Sequence, residues 1–391
     1  MIARRQQVSL VVTALLTAAA ACQAHQREEQ HPPPGRAAPA PAPAPDPATA
    51  PAAFTLVASG GILPETPVLE RAAFDAGGSG HDFRPMLEGV KGIVSRADLA
   101  LCQLGTVFGA NAPYTGAPSY KSPPELAPSL AAAGYDSCAT ASEHALDDGA
   151  DGVRRTLDAL DEAGLRHAGT ARGESESRGT LLQAGRAVVA HLAYTYGTNE
   201  DLPPDQPWAV RVIDEKRIIE DARAARQAGA EVVVVSLNWG RAWQDAPDAQ
   251  QLDLARKLTA SRSGGRPDVD LILGSHAHVP QAYEKVNGTW VVYGLGDQIT
   301  GATTDDSGAR NPRANQSTLA RFTFSPPARP GGRWEVARAE FVPEVFDLDA
   351  GRVLNLSRAI AQGADLRGVR DRIRAVVLSR GAAKDGLVMG E

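Results

Sequence analysis

The chain has 391 residues, 43% of them hydrophobic, enough to bury a large core as one α/β domain with appendages or as two domains. Its 40 Lys+Arg against 46 Asp+Glu give a net charge of -6 with no basic block, which excludes the electrostatic footprint of a nucleic-acid binder. Low aromatic content beside abundant Ala, Gly and Pro reflects compositional bias rather than function.

The chain opens with MIARRQQVSLVVTALLTAAAACQ, a charged start followed by an apolar run from Val8 to Ala21 and small residues before Cys22. That run is too short for a membrane span, so residues 1–22 read as an export signal. The AAAC ending resembles a bacterial lipoprotein signal, in which Cys22 becomes the lipidated first residue. Ala19 stands where that pattern prefers Leu, and a plain secretory signal is the alternative. Residues 23–53 are a Pro/Ala-rich linker that packs no core and reads as a disordered spacer from an envelope surface. The expectation is an extracytoplasmic protein, secreted or lipid-anchored to the outer face of a bacterial membrane. There Cys102 and Cys138 either pair or serve as two small buried apolar side chains.

From Thr55 onward, short apolar runs alternate with segments of helical period, the pattern of parallel strands with crossover helices. Strands are predicted at 54–59, 97–103, 135–140, 187–194, 231–237, 270–274 and 289–295. Several are near-continuous Val/Ile/Leu runs, as in strands covered on both faces. A helix is predicted behind Asp151, ending at Gly164; a second ends at Gly229; a third begins at Pro247-Asp248. RWEVARAEFVPEVFDLD returns to alternation, suggesting antiparallel strands, and residues 348–391 read as a C-terminal helix and loose tail. In open α/β sheets, active sites collect beyond the carboxyl ends of strands. The residues there are Gly60-Gly61, Gly105, Ser142-Glu143-His144, Asn238-Trp239-Gly240, His276-Ala277-His278 and Gly296-Asp297.

Five stretches in order, GYDSCATASEHALDDGADG, AYTYGTN, VVVVSLNWG, LILGSHAHVPQ and VVYGLGDQI, resemble the CapA family of poly-γ-glutamate capsule synthesis proteins, related to calcineurin-like metallophosphatases. The resemblance runs from about Phe54 to Phe346 within a domain at 54–347. It implies a metallophosphatase-like two-layered β-sandwich flanked by helices. It also implies a role in capsule or poly-γ-glutamate assembly or export and, in some members, metal-dependent hydrolysis.

The chain departs from the family at the metal ligands. Gly61 replaces an Asp, Gly105 a Glu, Glu143 an Asn and Asn238 a His, and Ala242 stands near a usual acid. His144, His276, His278 and Asp297 remain. Glycine supplies no ligand and an amide oxygen is a poor one for Zn²⁺ or Mn²⁺, so the inherited two-metal centre is expected to be degenerate. Two outcomes follow. Either the cleft is a non-catalytic or weakly active binding site with no metal, or Glu143, His276 and His278 rebuild a site for one Zn²⁺ or Mn²⁺, with Glu65 facing the same cavity. His144 is the candidate general acid, or else it closes the Asp147-Asp148 loop by a hydrogen bond. Asp297 orients a histidine or caps a turn, and Asn238 and Trp239 are cleft candidates; Trp239, Trp243 and Tyr196 line the cleft or fill core. The expected partners are an anionic or saccharide envelope polymer or capsule assembly proteins, with no nucleic acid and with membrane contact only through a lipidated Cys22. The substrates of the hydrolytic alternative are phosphoesters or γ-glutamyl amides.

Overall fold

The computed structural model describes residues 52–329 and 331–391. The export signal, Cys22 and nearly all of the Pro/Ala-rich linker lie outside the described residues.

The first half of the domain runs β1 (Phe54–Ile62), α1 (Thr66–Asp75), α2 (Arg84–Val94), β2 (Leu99–Leu104), β3 (Val107–Phe108), β4 (Lys121–Ser122), α3 (Leu126–Ala133), β5 (Ser137–Ala139), α4 (Gly149–Glu162) and β6 (Arg166–Ala168). It continues with β7 (Thr180–Ala184), β8 (Ala187–Thr195), α5 (Glu215–Gln227), β9 (Val232–Asn238), α6 (Ala249–Ala260), β10 (Arg262–Ser263), β11 (Arg266–Pro267), β12 (Leu271–Ser275), β13 (Tyr283–Val286) and β14 (Thr289–Val292). The chain closes with β15 (Asp297–Ile299), β16 (Gln316–Ser325), β17 (Glu335–Asp347), β18 (Arg352–Asn355), α7 (Leu356–Ala361), α8 (Arg367–Val377) and β19 (Leu387–Met389).

Two large sheets result. One has the order β18-β17-β16-β1-β2-β5-β6, with β15 beside β1 and β19 beside β17; the other has the order β13-β14-β12-β9-β8-β7. Side-chain alternation explains why the central strands read as continuous apolar runs. Leu56 and Ala58 of β1, Leu99 and Leu101 of β2, Val232 and Val234 of β9, and Leu271 and Leu273 of β12 form one core between the sheets. Their neighbours point outward. Val57, Ala100 and Cys102 pack beneath α2, α3 and α4, while Val233, Val235 and Ile272 pack beneath α5 and α6. Both faces of each sheet are therefore buried, which is the two-layered β-sandwich flanked by helices that the sequence led us to expect.

All seven predicted strands are present. The pairing is less uniformly parallel than the alternation suggested, because β7 joins β8 and β13 joins β14 as antiparallel hairpins at opposite ends of the second sheet. Register places Cys102 of β2 opposite Cys138 of β5, and the two form a disulfide.

Two boundaries differ from the sequence reading. Helix α4 starts at Gly149 rather than behind Asp151, and the side chain of its N-cap Asp148 is ion-paired to Arg155 instead of capping. The segment 348–391 is not one helix and a loose tail. It completes the first sheet through β18 and β19, and Ile373 and Val377 of α8 bury themselves in the core between the sheets. The predicted start of α6 holds, with Asp248 and Gln251 forming a reciprocal capping box.

The layering ranks two substitutions. Leu273→Ala, which opens a cavity between the sheets, should lower unfolding free energy by roughly 2–5 kcal/mol. Asp248→Ala, which removes one cap, should cost about 1 kcal/mol. Urea denaturation of each variant checks the order; equal losses would mean that packing between the sheets contributes no more to stability than a single helix cap.

Candidate functional site

Strand ends from both sheets meet in one cleft. Glu143 and His144 follow β5 of the first sheet, whereas Asn238 ends β9 and His276 and His278 follow β12 of the second. Glu143 crosses the gap: its Oε2 accepts a 2.8 Å hydrogen bond from Asn238 Nδ2, and its Oε1 lies 3.4 Å from His276 Nδ1 and 3.6 Å from His144 Nε2. Glu143, His276 and His278 each present one ligand atom, all within 4.8 Å of one another. The donors thus come from two loops 133 to 135 positions apart in sequence, which is why only the folded chain assembles them.

Each imidazole has its own support. Asp297 Oδ2 accepts from His278 Nδ1 at 2.8 Å, leaving the other ring nitrogen free; this is the usual way a carboxylate orients a ligating histidine. Asp147 Oδ2 holds His144 Nδ1 at 2.8 Å, and Asn199 Nδ2 lies 3.2 Å from the same nitrogen. Tyr196 packs on His276, Trp243 stacks on His278, and Tyr120 meets His144 edge-on. The backbone is also committed. Among the described residues only Trp243, His276, His278 and Asn287 combine positive φ with a side chain, and the first three are at this site. Such conformations persist only where the surroundings enforce them.

Charge follows from these contacts. Burial pushes the pKa of Glu143 up. The close approach of His276, 3.4 Å away, and then the charges of His144 and His278, outweigh burial and carry it well below the usual carboxylate range. For His278, burial pulls the pKa down, but Asp297, helped by Glu143 and Asp306, raises it to about 9. Burial and then Glu143 push Tyr196 up to about 12, so it stays a neutral phenol.

The donor set fits a cation. His276 Nδ1 is buried without a hydrogen bond, facing a carboxylate oxygen that is itself ionised. One divalent ion of the Zn²⁺ or Mn²⁺ kind would satisfy both, held by Glu143, His276 and His278. Gly61 has no ligand, and a Cβ there would stand 2.3 Å from Asp297 Oδ1, so the carboxylate of Asp297 already occupies that space.

The cleft measures about 810 Å³ and is lined by Glu65, Tyr120, His144, Asn199, Trp243, His278 and Asp297 together with residues 300–306 and Gly308. Glu65 faces it, but its oxygens are taken by Tyr120 Oη and the Ala117 amide, away from the three-donor group. Asn238 is a holder of Glu143 and not a cleft wall; its Oδ1 accepts from Thr195 Oγ1 at 2.8 Å. Trp239 is a correction. It is 1% exposed, donates to the Tyr293 carbonyl and packs with Val233, Val235 and Leu237 beneath the helices, because it shares their odd position in the strand alternation. The hydrogen bond between His144 and Asp147 is the loop closure read from the sequence as the alternative to a general acid, whereas Asn199 and Tyr120 were not picked out there. Asp147 stands at a loop spacing of three from His144, a readable signal; the other two arrive from remote loops.

A family model described as "Bacterial capsule synthesis protein PGA_cap" matches residues 55–302. A polyglutamine synthesis accessory protein of Mycobacterium tuberculosis is 26% identical over 216 residues, 52% of this chain and 55% of that protein. The capsule biosynthesis protein CapA of Bacillus anthracis is 26% identical over 172 residues, 43% of this chain and 40% of that protein. The chain spans about half the length of the curated relatives it matches. The solved calcineurin-like phosphoesterase YfkN of Bacillus subtilis aligns with 83% of this chain and 99% of its own at 12% identity, with a TM-score of 0.44.

The raised pKa of His278 has a stability consequence. Its pairing with Asp297 stabilises the fold fully below the ordinary imidazole pKa of 6.5, and that contribution is lost as pH rises through about 9. In chelator-treated protein, an NMR titration of the His278 ring should show its midpoint near 9, moved downward by Asp297→Asn. A midpoint at or below 6.5 in the parent protein would contradict the pairing.

Proposed function

The chain belongs to the bacterial capsule synthesis protein family PGA_cap, and on that premise we propose that it acts outside the cytoplasm on a carboxylate-bearing envelope polymer of the poly-γ-glutamate kind. Its cleft holds one divalent cation at Glu143, His276 and His278 in place of a two-metal centre, and it cleaves or trims the polymer by hydrolysis of a γ-glutamyl amide. The observation that carries this reading is the convergence of ligand atoms from Glu143, His276 and His278 within 4.8 Å of one another, at a site where His276 Nδ1 is buried with no hydrogen bond. The capsule role is supported by the family and by the names of the relatives; the export signal read at residues 1–22 supports the location.

The chemistry divides among named groups. A divalent cation bound there supplies Lewis-acid polarisation of a substrate carbonyl or phosphoryl oxygen. Asp297 holds His278 in the orientation and tautomer that ligation requires, and Asn238 turns Glu143 toward the histidines. With Nδ1 bound by Asp147, His144 directs Nε2 to the Glu143 side of the cleft, where it donates the proton needed by the leaving amine. None of the residues lining the cleft is Lys or Arg, so the imidazolium of His278 is the cationic side chain that an anionic polymer would meet there in the absence of a metal.

One observation favours the runner-up, a polymer-binding component without hydrolysis. Gly61 and Gly105 leave no carboxylate bridge, and Asp297 fills the space beside Gly61.

Elemental analysis of protein purified without chelators should find about one Zn²⁺ or Mn²⁺ per chain. His276→Ala and Glu143→Gln should lose it. His144→Ala should keep it while polymer cleavage, read by the shortening of γ-linked glutamate chains on a gel, falls about 100-fold or more. Absence of metal and of cleavage, with polymer still bound, selects the runner-up.

The crowding at Gly61 yields a further expectation. Gly61→Asp should displace Asp297 and weaken metal retention rather than restore a second ion; two equivalents of metal in this variant would refute the one-metal site.

A further inference from the structure

A second cleft of about 550 Å³ opens between α5, the turn at 174–178 and the loop at 207–211. Its lining differs in kind from the first, since three arginines, Arg178, Arg211 and Arg217, contribute to it. Arg211 is 8% exposed and stacks over Tyr194. Its Nη2 is paired with Asp221, which also accepts from Tyr194 Oη at 2.9 Å, but its Nε has no acceptor. Trp208, beside it in the lining, likewise has a buried Nε1 with no acceptor. Two buried N–H groups left unpaired in one wall are costly and call for an acceptor. On the rim, Arg178 and Arg217 are exposed and form no ion pair among the described residues.

The balance of charge narrows what that acceptor is. Glu174, Glu220 and Asp221 also line the cleft, so three guanidiniums face three carboxylates and the field is near neutral. A dianionic phosphate gains little in such a field. A carboxylate carries one charge and a planar pair of oxygens that suits guanidinium geometry. The cleft also lies next to the site already described. The Arg211 carbonyl accepts from the Thr195 amide at 2.9 Å, and the next residue, Tyr196, packs on His276 and binds the Asn238 carbonyl through its amide.

We propose that this arginine-lined cleft is a carboxylate-binding subsite. Resting on the function proposed above, we assign it to side-chain carboxylates of the polymer beyond the unit held in the acidic cleft. It supplies the guanidinium contacts that the acidic cleft lacks.

Titration calorimetry on the whole chain tests this with γ-linked glutamate oligomers, free L-glutamate and inorganic phosphate as probes. The exposed pair Arg178→Gln/Arg217→Gln, which disturbs no buried contact, should weaken oligomer binding about tenfold. Arg211→Lys, which keeps the charge beside Asp221 but removes the Nε donor, should weaken it too. Tighter binding of the oligomer than of free glutamate identifies the polymer as the source, and equal binding identifies the free amino acid; either supports a carboxylate site. Unchanged oligomer affinity in both arginine variants, or phosphate competing as well as glutamate, overturns it. The two readings fail separately. Metal retention and cleavage with no effect of the arginine variants would sink only the subsite. Arginine-dependent carboxylate binding in a metal-free, inactive parent would sink only the one-metal hydrolase.

Discussion

The fold depends on the apolar contact between its two sheets. Leu56, Leu101, Val234 and Leu273 all face that contact, and each belongs to a central strand whose alternate residues are covered by helices on the other side. A strand buried on both faces has little freedom to slip in register, because a shift of one residue exchanges its two apolar sets. With the strands so placed, β5 delivers Glu143 from one sheet to within hydrogen-bonding distance of Asn238 from the other. The site is therefore a consequence of how the sandwich closes, and α8 seals the same core from its open side with Ile373 and Val377.

Within the cleft, charge compensation governs the rest. Glu143 is a buried anion made tolerable by three imidazoles and an amide, and His278 is a buried imidazole made basic by Asp297. Asn238 holds Glu143 through its amide, and Gly61 leaves room for the carboxylate that orients His278. Together these contacts hold the site in one arrangement. The strained backbone at Trp243, His276 and His278 points the same way, since these conformations are costly where nothing enforces them.

Much of the architecture was legible in the residues. Val232 to Val235 and Leu271 to Leu273 announce strands covered on both sides, and Asp248 with Gln251 announces a helix start. Trp239 was misplaced because proximity in sequence to Asn238 says nothing about which face of the sheet a side chain meets; the alternation through Val233, Val235 and Leu237 contained that answer. The C-terminal segment was underrated because its pairing partner β17 lies well upstream, and its apolar positions Ile373 and Val377 sit among arginines. The second cleft left no trace in sequence, as its arginines come from three separate segments.

By itself the sequence determined the order of strands and helices, the strand ends, and which residue types stand at them. Those are local properties, set by side-chain periodicity and by which atoms a residue owns. Only the tertiary structure decided that Glu143 joins His276 and His278, that Asp297 takes the space beside Gly61, and that Trp239 belongs to the core. Distances between residues more than a hundred positions apart depend on how two sheets pack, and a metal-binding geometry tolerates errors far smaller than any that sequence periodicity can resolve.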